Sequence, residues 1–185
     1  MTAIADTTSP ISNPVFSGAW LNVMTTESES NPDWTADQSF PASKRAATSR
    51  LSLLLAEDNL ADTYLVREAI RAENLPLDVQ VASDGERAMS FIEQAEAASE
   101  DQRPDIVLLD LNLPKRDGFE ILQRLRSSAT LRSLPVVIFT SSDSPEDRRR
   151  AAELGATYFR KPASYEEFLK LGGILKDVLR ERGLI

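Results

Sequence analysis

Five polar residues of chemically useful types stand at the ends of short apolar runs. They are Glu57 and Asp58 after RLSLLLA, Asp110 after DIVLL, Thr140 at the end of PVVIFT, and Lys161 after ATYFR. Carboxylate oxygens are the ligands that Mg²⁺ prefers, usually one or two of them together with water and phosphate oxygens. A bound metal ion and an ammonium group together would stabilise a doubly charged phosphoryl group carried by one of the acids. The residue types therefore predict a Mg²⁺ site at which a carboxylate takes up phosphate.

Each of these residues also has an ordinary structural interpretation. An Asp after a strand often caps the next helix, Thr140 could be a β-branched strand residue, and Lys161 could extend into solvent. Ligands of an open parallel sheet bind beyond the carboxyl ends of its strands, so the five groups are expected to converge there. Like charges repel, and clustered acids persist only where a cation offsets the repulsion. The expected convergence of the five groups therefore favours a shared Mg²⁺ site over a separate structural role for each residue.

The composition excludes several classes of chemistry. The chain has no His and no Cys, which rules out a Ser-His-Asp triad, an HExxH zinc site, a phosphohistidine, a thiolate zinc site and a disulfide. Phosphate-binding loops of the types GxxxxGK[ST] and GxGxxG are missing. The net charge of −8 argues against binding to nucleic acid through a general basic field. No apolar run is long enough to cross a membrane and no signal peptide is visible, so we expect no membrane partner and a cytoplasmic protein.

Apolar runs and amphipathic segments alternate from Arg50 to the end of the chain. Short continuous apolar runs are typical of buried parallel strands, and apolar residues three and four apart are typical of helices packed on them. The pattern predicts a (βα)5 chain, an α/β fold with a doubly wound, five-stranded parallel sheet. Strands are predicted at 50–58, 77–83, 105–110, 135–140 and 156–160, and helices at 60–72, 84–97, 118–127, 145–154 and 164–182.

Residues 1–49 differ from the rest in being rich in Ser, Thr and Pro and lacking a helical or strand period. Such a segment buries too little apolar surface to offset its ordering entropy, so a disordered extension is predicted before a domain at 50–185. Both tryptophans, Trp20 and Trp34, are in the extension. Trp20 lies in an apolar patch that could dock on the domain or on a partner, and Met24 is an alternative start.

Five motifs follow one another in this domain, each at or just after a strand end. The region they span, about residues 51–182, resembles the receiver domains of two-component response regulators. Its segment from Leu131 to Ala156 is most similar to the stand-alone receivers that serve bacterial phytochromes and related sensor kinases. The motifs are AEDN (56–59), LLDLNLP (108–114), DG (117–118), VIFTSS (137–142) and RKP (160–162).

The resemblance implies the strand order 2-1-3-4-5 of a flavodoxin-like sheet. It also implies that Asp110 is the phosphoacceptor, attacking the phosphohistidine of a partner kinase. Mg²⁺ would be coordinated by Asp58, Asp110 and the backbone carbonyl of Asn112, with Glu57 acting largely through water. The absence of histidine then fits, since the donor imidazole belongs to another protein.

Three further roles follow from the same resemblance. Thr140 would bond the phosphoryl group and Lys161 would pair with it. Tyr158 matches the aromatic switch residue of the family, which turns inward when Thr140 moves, although a plain core aromatic is its simpler interpretation. Phosphorylation could shift such an equilibrium only through its differential stabilisation of the active state.

The implied partners are proteins. We expect a sensor histidine kinase, with a bacteriophytochrome as one candidate, and a phosphotransfer or target protein as the recipient. A homodimer through the face of helix 4, strand 5 and helix 5 is the expected assembly. Arg148 to Arg150 fit a solvated or docking face better than a nucleic-acid site. Gly172 and Gly173 in the last helix predict that it is kinked, shortened or stabilised by a partner.

Two other functions use the same residues. A Mg²⁺-dependent phosphohydrolase that forms an aspartyl-phosphate would share the carboxylates and the lysine. A pure interaction module would never take up phosphate, but such a protein would not need the complete set of acids, Thr140 and Lys161. With only 24 residues after Lys161, the preferred interpretation is a single-domain signalling receiver, not an enzyme, that acts through protein contacts.

Overall fold

The computed structural model describes residues 50–185. The predicted disorder of residues 1–49, the docking of Trp20 and the alternative start at Met24 lie outside the described residues. The strands are β1 (Leu51–Ala56), β2 (Leu77–Ala82), β3 (Ile106–Leu109), β4 (Val136–Thr140) and β5 (Thr157–Arg160). The helices are α1 (Leu60–Ala72), α2 (Gly85–Ala97), α3 (Gly118–Ser127), α4 (Pro145–Glu153), α5 (Tyr165–Phe168) and α6 (Lys170–Glu181), with a 3₁₀ turn at Glu100–Gln102.

The strands form one sheet in the order β2-β1-β3-β4-β5, and every neighbouring pair is parallel. The predicted fold and strand order are confirmed. All five strands are shorter than the apolar runs suggested, by one to three residues. As a result, Glu57, Asp58 and Asp110 lie just beyond the last paired residues of β1 and β3 and not inside the strands.

The central strands β1, β3 and β4 are buried on both faces of the sheet, which explains their nearly continuous apolar runs. Leu53 and Leu55 of β1 pack with α1 and α6, whereas the alternate residues Leu54 and Ala56 pack with α2 and α3. All four are at most 1% exposed. A sheet enclosed in this way is a rigid support for the loops at its carboxyl edge.

Short polar side chains begin the helices that follow the site loops. The side chain of Asn59 accepts from the N–H of Ala61 at the start of α1, and that of Asp117 accepts from the N–H of Phe119 at the start of α3. Such N-caps satisfy backbone donors that the helix leaves free. The loops after β1 and β3 are therefore held at the point where each helix begins.

The last predicted helix, at 164–182, is interrupted, which agrees with the prediction that it is kinked or shortened. The segment is divided into α5 and α6 at Leu169, whose carbonyl accepts from the N–H of Gly172 at 3.0 Å in a tight 3₁₀-type turn. The break precedes the glycines. A Cβ on Gly172 would lie 2.3 Å from the carbonyl oxygen of Ala69, whereas Gly173 faces open space. Gly172 therefore allows α6 to approach α1 closely.

Candidate functional site

Backbone hydrogen bonds fix the residues that follow the strands. The N–H of Glu57 donates to the last carbonyl of β2 and that of Asp110 to the last carbonyl of β1, both at 3.0 Å. The N–H of Lys161 donates to the carbonyl of Thr140 at 2.7 Å. The sheet thus positions two carboxylates, an ammonium and a hydroxyl at its carboxyl edge, where the sequence placed them.

The ammonium of Lys161 is surrounded by carboxylates. Its Nζ lies 2.7 Å from Oε2 of Glu57, 2.7 Å from Oδ2 of Asp110 and 2.9 Å from Oδ2 of Asp62. The side chain is only 12% exposed, and the ring of Phe139 is 4.6 Å from Nζ. The interpretation of Lys161 as a solvent-extended lysine is therefore wrong, because its charge is committed to the site.

Burial and ion pairing act in opposite directions on the two central groups. Burial raises the pKa of Glu57, and the contacts with Lys161 and the N–H of Asn59 lower it only in part, so the resulting pKa is about 7 instead of 4.5. Burial alone would lower the pKa of Lys161, but hydrogen bonds to Asp110, Glu57 and Asp62 outweigh it and keep that pKa above its ordinary value. The lysine is a permanent cation, whereas Glu57 exchanges a proton near neutrality.

Three of the acids could share a metal ion. Glu57, Asp58 and Asp110 each offer a carboxylate oxygen, and the three oxygens lie within 4.8 Å of one another. Glu57 and Asp110 are buried, while Asp58 is exposed at the mouth of the site. A set of closely spaced carboxylate oxygens with one side open to water is the donor chemistry that suits a hard divalent cation.

Thr140 is fully buried, and its hydroxyl has two donors. The side-chain amide of Asn112 donates to Oγ1 of Thr140 at 3.3 Å, as does the N–H of Ser142, also at 3.3 Å. The N–H of Asn112 donates to Oδ1 of Asp110 at 3.1 Å. Asn112 therefore contacts both the carboxylate and the hydroxyl, through separate atoms.

Tyr158 is half-buried beside the same loop. Its hydroxyl donates to the carbonyl of Ser142 at 3.0 Å, and the guanidinium carbon of Arg148 lies 4.8 Å from its ring centre. The ring contacts the edge of the hydrophobic core, so the interpretation as a core aromatic describes only part of its surroundings. The side chain ties β5 to the loop between β4 and α4.

The three consecutive arginines of α4 are not a uniform solvated face. Arg148 covers Tyr158, and Arg150 lies 4.2 Å above the ring of Phe119 at the start of α3. Arg148 and Arg149 are both exposed, and Arg149 forms ion pairs with Glu146 and Glu153. Two of the three guanidinium groups therefore pack on aromatic rings, and one of these two stays exposed.

The DG motif has a steric reason in the loop that carries Asp110. A Cβ on Gly118 would lie 2.3 Å from the carbonyl oxygen of Asp110 and 2.7 Å from the Cα of Leu111. The N–H of Gly118 donates to the carbonyl of Leu111 at 3.0 Å. Glycine at 118 lets α3 begin directly against the backbone of Asp110.

Asp62 is a site residue that sequence reasoning missed. In the sequence it is an acid in the first turn of a helix, a common position because the helix dipole favours negative charge there. One usable indication was its distance of four residues from Asp58, on the helix that directly follows the acidic pair. The structure places its carboxylate on Lys161.

Comparison with known proteins gives one family. A sequence profile described as the response regulator receiver domain matches residues 53–171. The response regulator Rcp1 of Synechocystis is 34% identical over 120 residues, which cover 64% of this chain and 82% of that protein.

Solved structures agree with this match. The phosphorylated cyanobacterial phytochrome response regulator RcpA superposes with a TM-score of 0.62 at 33% identity, over 70% of this chain and 93% of that one. The bacteriophytochrome response regulator RtBRR superposes with a TM-score of 0.58 at 36% identity, over 70% and 78%. A structure of Rcp1 with Mn²⁺ bound gives a TM-score of 0.61 at 32% identity, over 69% and 92%. Within residues 50–185, no helix combines the length and apolar character that a membrane span requires.

Proposed function

We propose, from the premise that the chain belongs to the response regulator receiver domain family, that Asp110 is the residue that accepts the phosphoryl group. Membership of this family makes the chain a phosphoacceptor of two-component signalling, with a histidine kinase as its partner. The observation that carries the choice of Asp110 is its 2.7 Å contact with Lys161 inside the group of three carboxylates. Asp58 belongs to the same group but is exposed and has no such contact among the described ion pairs.

The transfer is a substitution at phosphorus. A carboxylate oxygen of Asp110 would attack the phosphoryl group of the partner's phosphohistidine, forming a P–O bond as the P–N bond breaks. The electron pair of the broken bond stays on the imidazole nitrogen, and the ring, whose other nitrogen carries a proton, leaves as neutral imidazole. The protein then carries an acyl phosphate, whose added negative charge must be balanced locally.

A divalent cation, for which we propose Mg²⁺, would be held by Glu57, Asp58 and Asp110 together with the carbonyl of Asn112. When bound, it supplies positive charge to the phosphoryl oxygens. The acidic group fits such an ion by its oxygen donors and spacing. That Rcp1 has been solved in a Mn²⁺-bound form supports a divalent cation for this chain.

Lys161 and Thr140 would hold the transferred group. The ammonium already lies against Asp110 and would pair with a phosphoryl oxygen in a site from which water is largely excluded. The Thr140 hydroxyl would donate to another oxygen, since its two described hydrogen bonds are both accepted and leave its proton free. The N–H of Ser142 donates to the hydroxyl of Thr140, and the carbonyl of Ser142 accepts from the hydroxyl of Tyr158. A movement of Thr140 would therefore displace Ser142 and release Tyr158.

The type of histidine kinase that serves as partner is inferred from the relatives of this chain. Two of them are phytochrome or bacteriophytochrome response regulators, which supports a bacteriophytochrome-type kinase as the donor. We further propose that α4, β5 and the last helical segment, α5 with α6, form the output face, either in a homodimer or toward a phosphotransfer or target protein. We propose that phosphotransfer and these protein contacts take place in the cytoplasm, and that the chain binds neither nucleic acid nor a membrane.

The test uses a small phosphodonor such as acetyl phosphate with Mg²⁺. The wild-type protein should form a base-labile acyl phosphate, whereas Asp110→Asn should not. Asp58→Asn should be phosphorylated much more slowly than the wild type, and its rate of phosphorylation should no longer depend on Mg²⁺. Continuous turnover of several phosphate esters by the wild type would instead favour the phosphohydrolase. Stable labelling of Asp110→Asn at the wild-type level would show that another residue is the acceptor.

A further inference from the structure

We propose that Asp62 is a positioning residue, whose carboxylate keeps the Lys161 ammonium in the site throughout the phosphorylation cycle. The inference rests on the proposed function, because it concerns the lysine that would pair with the phosphoryl group. It adds a residue of α1 to a set otherwise drawn from the sheet edge and the loops after it. Asp62 acts through Lys161 and touches none of the reacting atoms.

Three carboxylates contact the ammonium of Lys161. Lys161 lies 2.7 Å from both Glu57 and Asp110 and 2.9 Å from Asp62. The Asp62 side chain is 20% exposed and that of Lys161 12% exposed, so this pair is largely withdrawn from solvent. A charge-assisted hydrogen bond in such surroundings is stronger than a surface ion pair.

Two of the three carboxylates have other roles in the cycle. Glu57 and Asp110 belong to the group of oxygens that would bind the cation, and Asp110 would also become the acyl phosphate. Glu57 would then share its charge with the cation, and the contact of Lys161 with Asp110 would pass from the carboxylate to the phosphoryl oxygens. Among the carboxylates that contact Lys161 within residues 50–185, Asp62 is the one outside that group. Its contact with the ammonium can persist while the other two are redirected.

The backbone supports this role. Asp62 lies in the first turn of α1, which Asn59 caps directly after the metal-binding acids. On the other side, the N–H of Lys161 is bonded to the carbonyl of Thr140. Two separate elements, α1 and β5, therefore fix the two ends of the Asp62–Lys161 ion pair. Loss of the carboxylate would leave the flexible lysine side chain with fewer restraints.

The sign of the effect separates positioning from a general electrostatic field. If Asp62 acted only as a nearby negative charge, its removal would reduce repulsion and strengthen the binding of an anion at Asp110. If Asp62 positions Lys161, its removal weakens that binding. We expect Asp62→Asn to lower the affinity for beryllofluoride with Mg²⁺, a phosphoryl mimic, by about tenfold.

Glu68→Gln is a matched control. Glu68 lies on the same helix, its side chain is 21% exposed, and it pairs with Arg71 away from the site. Both variants remove one negative charge from α1 and replace a carboxylate by the amide of the same shape. Both should unfold at close to the wild-type temperature, and Glu68→Gln should bind the mimic as the wild type does.

The second readout is the ¹⁵N NMR signal of the Lys161 ammonium in the protein bound to Mg²⁺ and beryllofluoride. A held ammonium exchanges its protons slowly enough to be seen, so the wild type and Glu68→Gln should show the signal and Asp62→Asn should lose it. Equal affinity in the two variants, tighter binding by Asp62→Asn, or a retained signal would overturn the proposal. Failure of the wild type to bind the mimic would instead contradict the proposed function.

Discussion

The hydroxyl of Tyr158 donates to the backbone carbonyl of Ser142 at 3.0 Å. The N–H of Ser142 in turn donates to the hydroxyl of Thr140 at 3.3 Å. One residue of the loop after β4 therefore connects the two side chains that the family resemblance assigns to the switch. A change at Thr140 can therefore reach Tyr158 through the backbone of Ser142 alone.

Tyr158→Phe removes this hydrogen bond while keeping the ring. We expect a loss of about 0.5–1.5 kcal/mol in the free energy of unfolding and faster amide exchange in the loop from Ser141 to Ser144. Hydrogen exchange followed by mass spectrometry measures the second effect. The control is Tyr165→Phe, because Tyr165 is 45% exposed and lies outside the loop. Unchanged exchange in Tyr158→Phe would show that the hydrogen bond does not restrain the loop.

The protonation of Glu57 predicts a pH dependence of stability in the metal-free protein. The folded-state pKa of about 7 lies above the ordinary 4.5, so between these values the folded state keeps a proton that the unfolded state releases. This stabilising contribution is complete below pH 4.5 and is lost as the pH rises through about 7. The shift corresponds to about 3 kcal/mol.

Urea unfolding at about pH 5 and about pH 8, without divalent metal, measures this contribution. The uncharged variant Glu57→Gln should lack it, so the difference in stability between the two pH values should be smaller than in the wild type by about 3 kcal/mol. Because the other titrating groups are common to both proteins, the comparison isolates Glu57. The same pH dependence in both would mean that Glu57 is already ionised in the folded state.

The adjacent glycines of α6 should respond oppositely to alanine. Gly172→Ala would place a Cβ 2.3 Å from the Ala69 carbonyl and force α6 away from α1, at a cost of about 1–3 kcal/mol. Gly173 has open space, so Gly173→Ala should stabilise the protein by about 0.5–1 kcal/mol through helix propensity. Thermal or urea unfolding of the two variants distinguishes them. Similar effects at both positions would contradict the close approach of the helices.

Arg126 should be a major stabilising residue of the α4 region. Its guanidinium donates to four backbone carbonyls, those of Leu154, Gly155, Arg132 and Leu134, and so joins the turns that precede β4 and β5. Arg126→Ala would leave these acceptors without their partner and should cost about 2–4 kcal/mol.

Arg149→Ala provides the comparison for Arg126. Arg149 is on the exposed face of α4 and makes only surface ion pairs, so its loss should change the free energy of unfolding by less than about 0.5 kcal/mol. If both variants unfold alike, the four carbonyl contacts contribute little in solution.

The sequence predicted the fold and the place of the site because both depend on patterns along the chain. Continuous apolar runs define strands buried on two faces, and the residues just after them must share one edge. Asp62 could not be recognised in this way, since its role depends on how α1 packs beside the end of β5. The position of the break, at Leu169, was missed for a similar reason: helix propensity pointed to the glycines, but contact with α1 makes Gly172 compatible with the helix.

The contacts of Lys161, Thr140 and Tyr158 also lay beyond sequence reasoning. Apolar runs give the ends of strands but not which oxygen an ammonium contacts. The bond from Asn112 to Thr140 joins residues 28 positions apart. The bond from Lys161 to Glu57 joins residues 104 positions apart. Such pairs are set by sheet order and loop geometry, which become visible only in the folded protein.

The most direct measurement of the central claim is the position of the acyl phosphate. The protein is phosphorylated with acetyl phosphate and Mg²⁺, the acyl phosphate is reduced with borohydride to the alcohol, and the peptides are sequenced by tandem mass spectrometry. Asp110 should be converted to homoserine in the wild type, and the conversion should depend on Mg²⁺. Conversion of Asp58 or Asp62 instead, or none in a wild-type protein that binds Mg²⁺, would contradict the assignment of Asp110 as the phosphoacceptor.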